Sequence, residues 1–340
     1  MDGINVRTIS AAVGGILIGL LLTFNTSAKG EYYSGKTITI LVGAGPSGGT
    51  SMYGHLVKQF LGKHIPGNPD IILQNKPGGG GIKMGNLLQS GKLDSTKRTY
   101  VALFPGAFPL PAAAIPVSDK ITYGPADFVA VGALLNEPAI VAVRANTNVK
   151  SVYDLAGKGL RWGSGGRGAS PSLVPLFINK TFGANNKIVL GYKGSGTMIK
   201  AIAGNETDGV VLALSTLKKK GGIVPLRYIL AIGDKSTIPA GIPDIMDLVD
   251  NEQDRIFWKF FADSNIFART FVVHKSTPTK AQEILTKAFD DMMASPEFIA
   301  FCKEKKLPIG GATTEAANKA LAFYANLDPV LRKQLQDMVK

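Results

Sequence analysis

Residues 37–51, TITILVGAGPSGGTS, put four glycines, a proline and small hydroxyl side chains directly after a β-branched run. Glycine tolerates positive φ and carries no Cβ to hold a ligand away from the main chain, so such a loop can bring backbone N–H groups up to a bound group. A helix starting just beyond adds unpaired amides and a partial positive charge, which makes the segment a candidate anion site. The same residues match three known patterns, each with a part missing. GAGPSG at 43–48 is a G-x-G-x-x-G after a strand, yet Gln74, Asn75 and Lys76 stand where a dinucleotide site needs an acid for the ribose. As a phosphate loop it has Gly43, Gly48 and Thr50, but Gly49 occupies the position of the lysine that neutralises phosphate. As the G-x-S-x-G elbow of an α/β-type exported serine hydrolase, Ser47 is the nucleophile, with Asp263 and His274 downstream in the required order. That elbow normally follows several strands and here follows the first, so the hydrolase is the second functional reading.

Glycine and serine loops recur: KPGGGG at 76–81, GSGGRGAS at 163–170 and YKGSG at 192–196. Plain tight turns explain any one of them; several after strands in both halves of the chain suggest two anion-binding edges facing each other across a cleft. No acid, base and nucleophile set stands beside them. His55, His64 and His274 are far apart without metal-ligand spacing, and no metal or cofactor is expected. The single cysteine, Cys302, can form no intramolecular disulfide and reads as a buried apolar filler.

The elements that position these loops alternate. TITILV, DIILQN and TYVALF read as strands, with helical stretches SMYGHLVKQFLGKHI and IKMGNLLQSG between them, the order of a parallel sheet with crossover helices. A second series of the same kind starts after ALLNEPAIVAVRAN. AIVAVRA at 139–145 and RYILAIG at 227–233 are apolar runs at its two ends and candidate hinge crossings. STPT at 276–279 and SPEF at 295–298 read as helix starts, and the tail from Thr313 as helices packing across the first domain.

The N-terminus carries Arg7, an apolar run over 11–22, then Thr26 and Ala28 at small-residue cleavage positions, the pattern of a secretory leader cut after Ala28. The run is shorter than the roughly 20 residues a spanning helix needs. The remaining chain of about 310 residues suffices for two domains. Hydrophobic content of 45% against 19% charged residues excludes a disordered chain. The net charge of +13 is spread in ones and twos, its longest run being 218–220, which argues for small anions or an anionic membrane face over nucleic acid.

On the quoted motifs the chain resembles the Bug or TctC-like extracytoplasmic solute receptors of tripartite tricarboxylate transporters. SGKTITILVGAGPSGGT is similar to the family's opening strand and loop, IILQNKPGGGGIKMGN to its Asn-x-Pro-Gly-x-Gly-Gly segment, and GSGGRGASPSL to its second-domain loop. YKGSG with GNETDG and STPTKAQEILTKAFDDMMASPEF carry the likeness onward. The resemblance implies an α/β type II periplasmic-binding-protein fold: two doubly wound βα domains joined by a two-strand hinge around a cleft. Residues 29–137 and 234–340 would form domain 1 and 138–233 domain 2.

It also implies a monomeric, non-enzymatic periplasmic receptor that captures a small tri-, di- or monocarboxylate and delivers it to large and small membrane subunits of a tripartite transporter. Presentation of the closed form to a membrane sensor is an alternative. The ligand would be held by Gly45, Pro46, Ser47, Gly48, Gly49, Thr50 and Ser51 of the first loop. Ser164, Gly165, Gly166, Arg167, Gly168, Ala169 and Ser170 of the second loop would face them, with Lys193, Gly194 and Ser195 alongside, and Phe104 and Pro105 on the floor. Ser51, Ala169 and Ser172 depart from the family's usual aspartate, hydroxyl residue and histidine, which opens the ligand to a different class. Arg167 could then add a bidentate carboxylate contact.

Overall fold

The computed structural model describes residues 31–106, 111–115 and 119–339; the leader read at 1–28 lies outside them. TITILV forms β1 (Thr37–Val42), almost wholly buried, as a central strand covered on both faces must be. It feeds α1 (Gly49–Phe60), whose Tyr53, Leu56, Val57 and Phe60 recur at helical spacing on the buried side. DIILQN is β2 (Asp70–Asn75), followed by the glycine turn and α2 (Ile82–Gln89), then β3 (Arg98–Leu103) and β4 (Phe128–Ala133).

The chain then leaves for a second sheet: β5 (Ala139–Arg144), β6 (Arg161–Ser164), α3 (Ser170–Phe182), β7 (Lys187–Leu190), α4 (Ser195–Ala203), β8 (Gly209–Ala213), α5 (Leu214–Lys220) and β9 (Leu226–Ile232). It returns through α6 (Glu252–Asp263) to β10 (Thr270–His274), and closes with α7 (Thr279–Ala294), α8 (Pro296–Glu304), α9 (Thr314–Ala325) and α10 (Pro329–Val339).

The sheet orders are β2-β1-β3-β10-β4 and β7-β6-β8-β5-β9. Neither is purely parallel, a correction to the simple crossover reading. β10 inserts antiparallel between β3 and β4, and β5 runs antiparallel to both β8 and β9. AIVAVRA and RYILAIG are therefore paired neighbours inside the second sheet, so the first passage between sheets lies at 134–138 and the second after Ile232. Alternating apolar residues show that a run is a strand; they do not reveal which partner comes back to lie beside it.

Each sheet and its helices make one lobe. In the first, Tyr53, Leu56 and Phe60 pack with Phe271, Phe289 and Phe298. In the second, α6 lays Phe257 and Trp258 on Phe177 of α3, and the Trp258 indole N–H donates to Thr181 Oγ1 at 3.1 Å. The tail does reach the first sheet: the Asn318 side chain on α9 accepts from Ala130 N and donates to Ala130 O, both at 2.9 Å. It also joins α6, where the Tyr324 hydroxyl donates to Phe260 O at 2.9 Å. Cys302 is buried, as expected of an apolar filler.

Candidate functional site

Strands β1, β6 and β7 all end in glycine loops that start helices, and these starts meet at one cavity between the sheets. Gly48, Gly49 and Thr50 of α1 line it, with Ala169, Ser170 and Pro171 of α3 and Gly194 and Ser195 of α4. None of the three helices has an acidic side chain in its first turn. Their N-terminal partial charges are therefore uncompensated, and a negative group is favoured where they converge. The remaining wall is largely apolar, with Ala139, Met198, Val211, Leu212, Ala213 and Ala268. About 100 Å³ is open to the centres of water molecules, several times what one water requires.

The two lobes touch across this cavity. Gly45 N donates to Lys193 O at 2.6 Å, and Gly49 N to Ser195 Oγ at 3.1 Å. A Cβ on Gly166 would meet the main chain of Gly79 and Gly80 at under 3.0 Å, closer than real side chains come. Glycine at 166 thus serves the approach of one lobe's backbone to the other's. The second glycine loop belongs to the site for the same reason, and Pro77, Gly78 and Gly80 line the cavity.

The floor holds a charged pair that the sequence reading lacks. Arg269, immediately before β10, and Glu137, in the first passage, are 2% and 5% exposed and form an ion pair at 3.0 Å. Glu137 also accepts from Ser215 N at 2.8 Å and Ser215 Oγ at 2.9 Å, which caps α5. Arg269 donates to Ala268 O at 2.7 Å and more weakly to Thr216 Oγ1 at 3.3 Å, and its guanidinium lies 4.7 Å from the Tyr53 ring centre. Burial pushes the Tyr53 phenol up to about 12, although the Arg269 charge pulls it down. Both charged residues line the cavity. A lone glutamate and a lone arginine some 130 positions apart carry no spacing signal, so only folding could pair them.

Of the residues expected to hold a ligand, the structure brings Gly48, Gly49, Thr50, Pro105, Gly165, Ala169, Ser170, Lys193, Gly194 and Ser195 to the cavity wall. Several others stand behind it. Ser51 is buried and accepts from Asn75 Nδ2 at 2.9 Å, an amide that also donates to Ala44 O, so the pair braces the first loop. Ser164 accepts from the Ser172 hydroxyl at 2.7 Å, and Ser172 also reaches Gly166 O, bracing the second loop. Phe104 packs on Tyr123 and Phe128 in the core. Pro46, Ser47 and Arg167 are exposed, and neither they nor Gly45, Gly166 and Gly168 line the wall.

The hydrolase constellation is not assembled. Both ring nitrogens of His274 are hydrogen-bonded elsewhere, to Ser276 Oγ at 2.7 Å and Gln89 Oε1 at 2.8 Å, while Asp263 pairs with Lys259. Among the described residues, no group of three His, Cys, Asp or Glu side chains is placed to hold a metal ion.

No protein-family model matches the sequence, and no curated protein matches it. Solved structures do match. The periplasmic binding protein BugD has a TM-score of 0.63 at 15% identity, over 89% of this chain and 95% of its own. MatC from Rhodopseudomonas palustris, with bound malate, has 0.65 at 15%, over 90% of this chain and 99% of its own. An R. palustris protein with adipate has 0.64 at 17%, over 88% and 97%.

The chain has the periplasmic-binding-protein fold of the Bug and TctC proteins. The two five-strand sheets are the two lobes of that fold, and the helix starts described above lie where they face each other. The motif resemblance and the likeness of fold agree over nearly the whole described chain.

Proposed function

We propose that this protein is a periplasmic solute-binding receptor that closes its two lobes on a small carboxylate. The observation that carries the reading is the meeting of three helix N-termini, free of acidic side chains, at one cavity between the lobes. Such a site attracts an anion, orients it and carries out no bond chemistry on it. The leader pattern and the periplasmic binding proteins of like fold support the location, and the neighbours holding malate and adipate support the ligand class. In this reading residues 138–233 form one lobe, with α6 packed onto it, and 29–137 with the rest of 234–340 form the other. The monomeric receptor hands its ligand to the membrane subunits of a tripartite-type transporter.

Native mass spectrometry of the freshly purified protein should reveal a carried-over small acid, which calorimetry then quantifies. Ser170, at the start of α3, is a hydroxyl donor on the cavity wall. Losing one hydrogen bond to a charged ligand costs about 1.5–3 kcal/mol, so Ser170→Ala should weaken binding by about tenfold or more. Unchanged affinity would remove Ser170 from the site, and absence of any bound or bindable acid would remove the function.

A further inference from the structure

We infer that the Glu137–Arg269 pair selects a monocarboxylate whose far end carries a neutral hydrogen-bond acceptor, an amide, carbonyl or hydroxyl oxygen, against a dicarboxylate. The inference rests on the receptor reading above. Both residues line the cavity and are almost wholly buried, at 5% and 2% exposure. Glu137 is heavily engaged: one carboxylate oxygen accepts from Ser215 N, the other from Ser215 Oγ, and the latter oxygen also pairs ionically with the guanidinium at 3.0 Å. Arg269 is not. A guanidinium has five N–H donors, and its Nε–H meets no acceptor among the described residues although it is buried. A buried donor without a partner is costly and marks a place where a partner is missing.

The unmet demand is thus for an acceptor, and the charge of Arg269 is already balanced by Glu137. A neutral oxygen seated against the part of Arg269 that lines the cavity gains a hydrogen bond without adding a charge. A second carboxylate would have to share one guanidinium with Glu137 in a low-dielectric site, leaving a buried negative charge without its own counter-charge. The ligand's first carboxylate has its place at the helix starts. Thr216 links the two ends, since its hydroxyl packs against Gly49 and accepts from Arg269 at 3.3 Å. The apolar wall between suits a short hydrocarbon spacer.

The test is calorimetry at neutral pH with succinic, glutaric and adipic acids, each offered to the wild-type protein as the diacid and as the monoamide. The best-fitting monoamide should bind about tenfold or more tighter than its diacid. In Glu137→Gln the amide oxygen can still cap Ser215 N while the guanidinium is freed, so the preference should invert toward the diacid. Diacids binding as well as or better than monoamides in the wild type would overturn this inference and leave the receptor reading intact. Binding of none of the six would overturn this inference, while the receptor reading stands or falls on the carried-over acid. The wild-type comparison decides even if the variant fails to fold.

Discussion

The contact of the two lobes across the cavity rests on bare main chain, and Gly45→Ala tests directly whether the proposed closure depends on it. The Gly45 amide donates to Lys193 O, and a Cβ added at Gly45 would stand 2.7 Å from that same oxygen and 3.2 Å from Lys193 Cβ. Ordinary contact begins near 3.4 Å, so the lobes would have to part by about 0.7 Å locally, and the obstructing atom is backbone that cannot swing aside. An overpacked contact costs about 1–3 kcal/mol and a stretched hydrogen bond about 1 kcal/mol more. The sum, at least about 2 kcal/mol, corresponds to about a thirtyfold loss of the closed state. Small-angle scattering should show a larger radius of gyration than the wild type, and affinity for the carried-over acid should fall by a similar factor. The melting temperature without ligand should hardly change, because each lobe keeps its core. Gly222→Ala, with nothing within 4 Å of the new methyl, is the matched control. An unchanged radius and affinity in Gly45→Ala would refute the reasoning, and so would a drop in melting temperature as large as the loss of binding.

Two further outcomes concern stability and reactivity. Asp208 accepts from Arg144 and Arg161 at 2.9 Å. Burial alone would raise its carboxyl, but the hydrogen bonds from Arg161 and the two positive charges outweigh that and hold it below the usual carboxylate range. Its contribution is therefore present above the unfolded value, about 3.9, and is lost as pH falls through the folded one. Arg161 is 43% exposed, so solvent screens the pair, and Asp208→Asn should cost about 1 kcal/mol in denaturant unfolding near neutral pH and flatten the acid limb of the stability profile. A variant as stable as the wild type near neutral pH would contradict this. Burial pushes the Cys302 thiol up to about 11. It should therefore resist a chromogenic disulfide reagent in the native protein and react on unfolding; rapid native labelling would show the helix packing around it to be wrong.

Much of the fold was legible because local physics fixes it. TITILV and DIILQN are strands at the expected residues, since β-branched runs bounded by glycine turns have little else to do. Cys302 was readable as an apolar filler on composition alone, and the family likeness in the glycine loops matches the fold. The helix starts at Gly49, Ser170 and Ser195 follow from small residues after strands, so the positive rim of the cavity was visible in the chain. Tertiary structure alone decided the rest. It placed β10 between β3 and β4, put Ser51 and Ser164 behind the loops as braces, and separated His274 and Asp263 from any shared site. It set Gly166 against the other lobe's backbone and brought Arg269 to Glu137. Propensity and capping act over a few residues and are written locally. The facing of two buried charges, or of two backbones, depends on how distant segments pack, and no spacing along the chain records it.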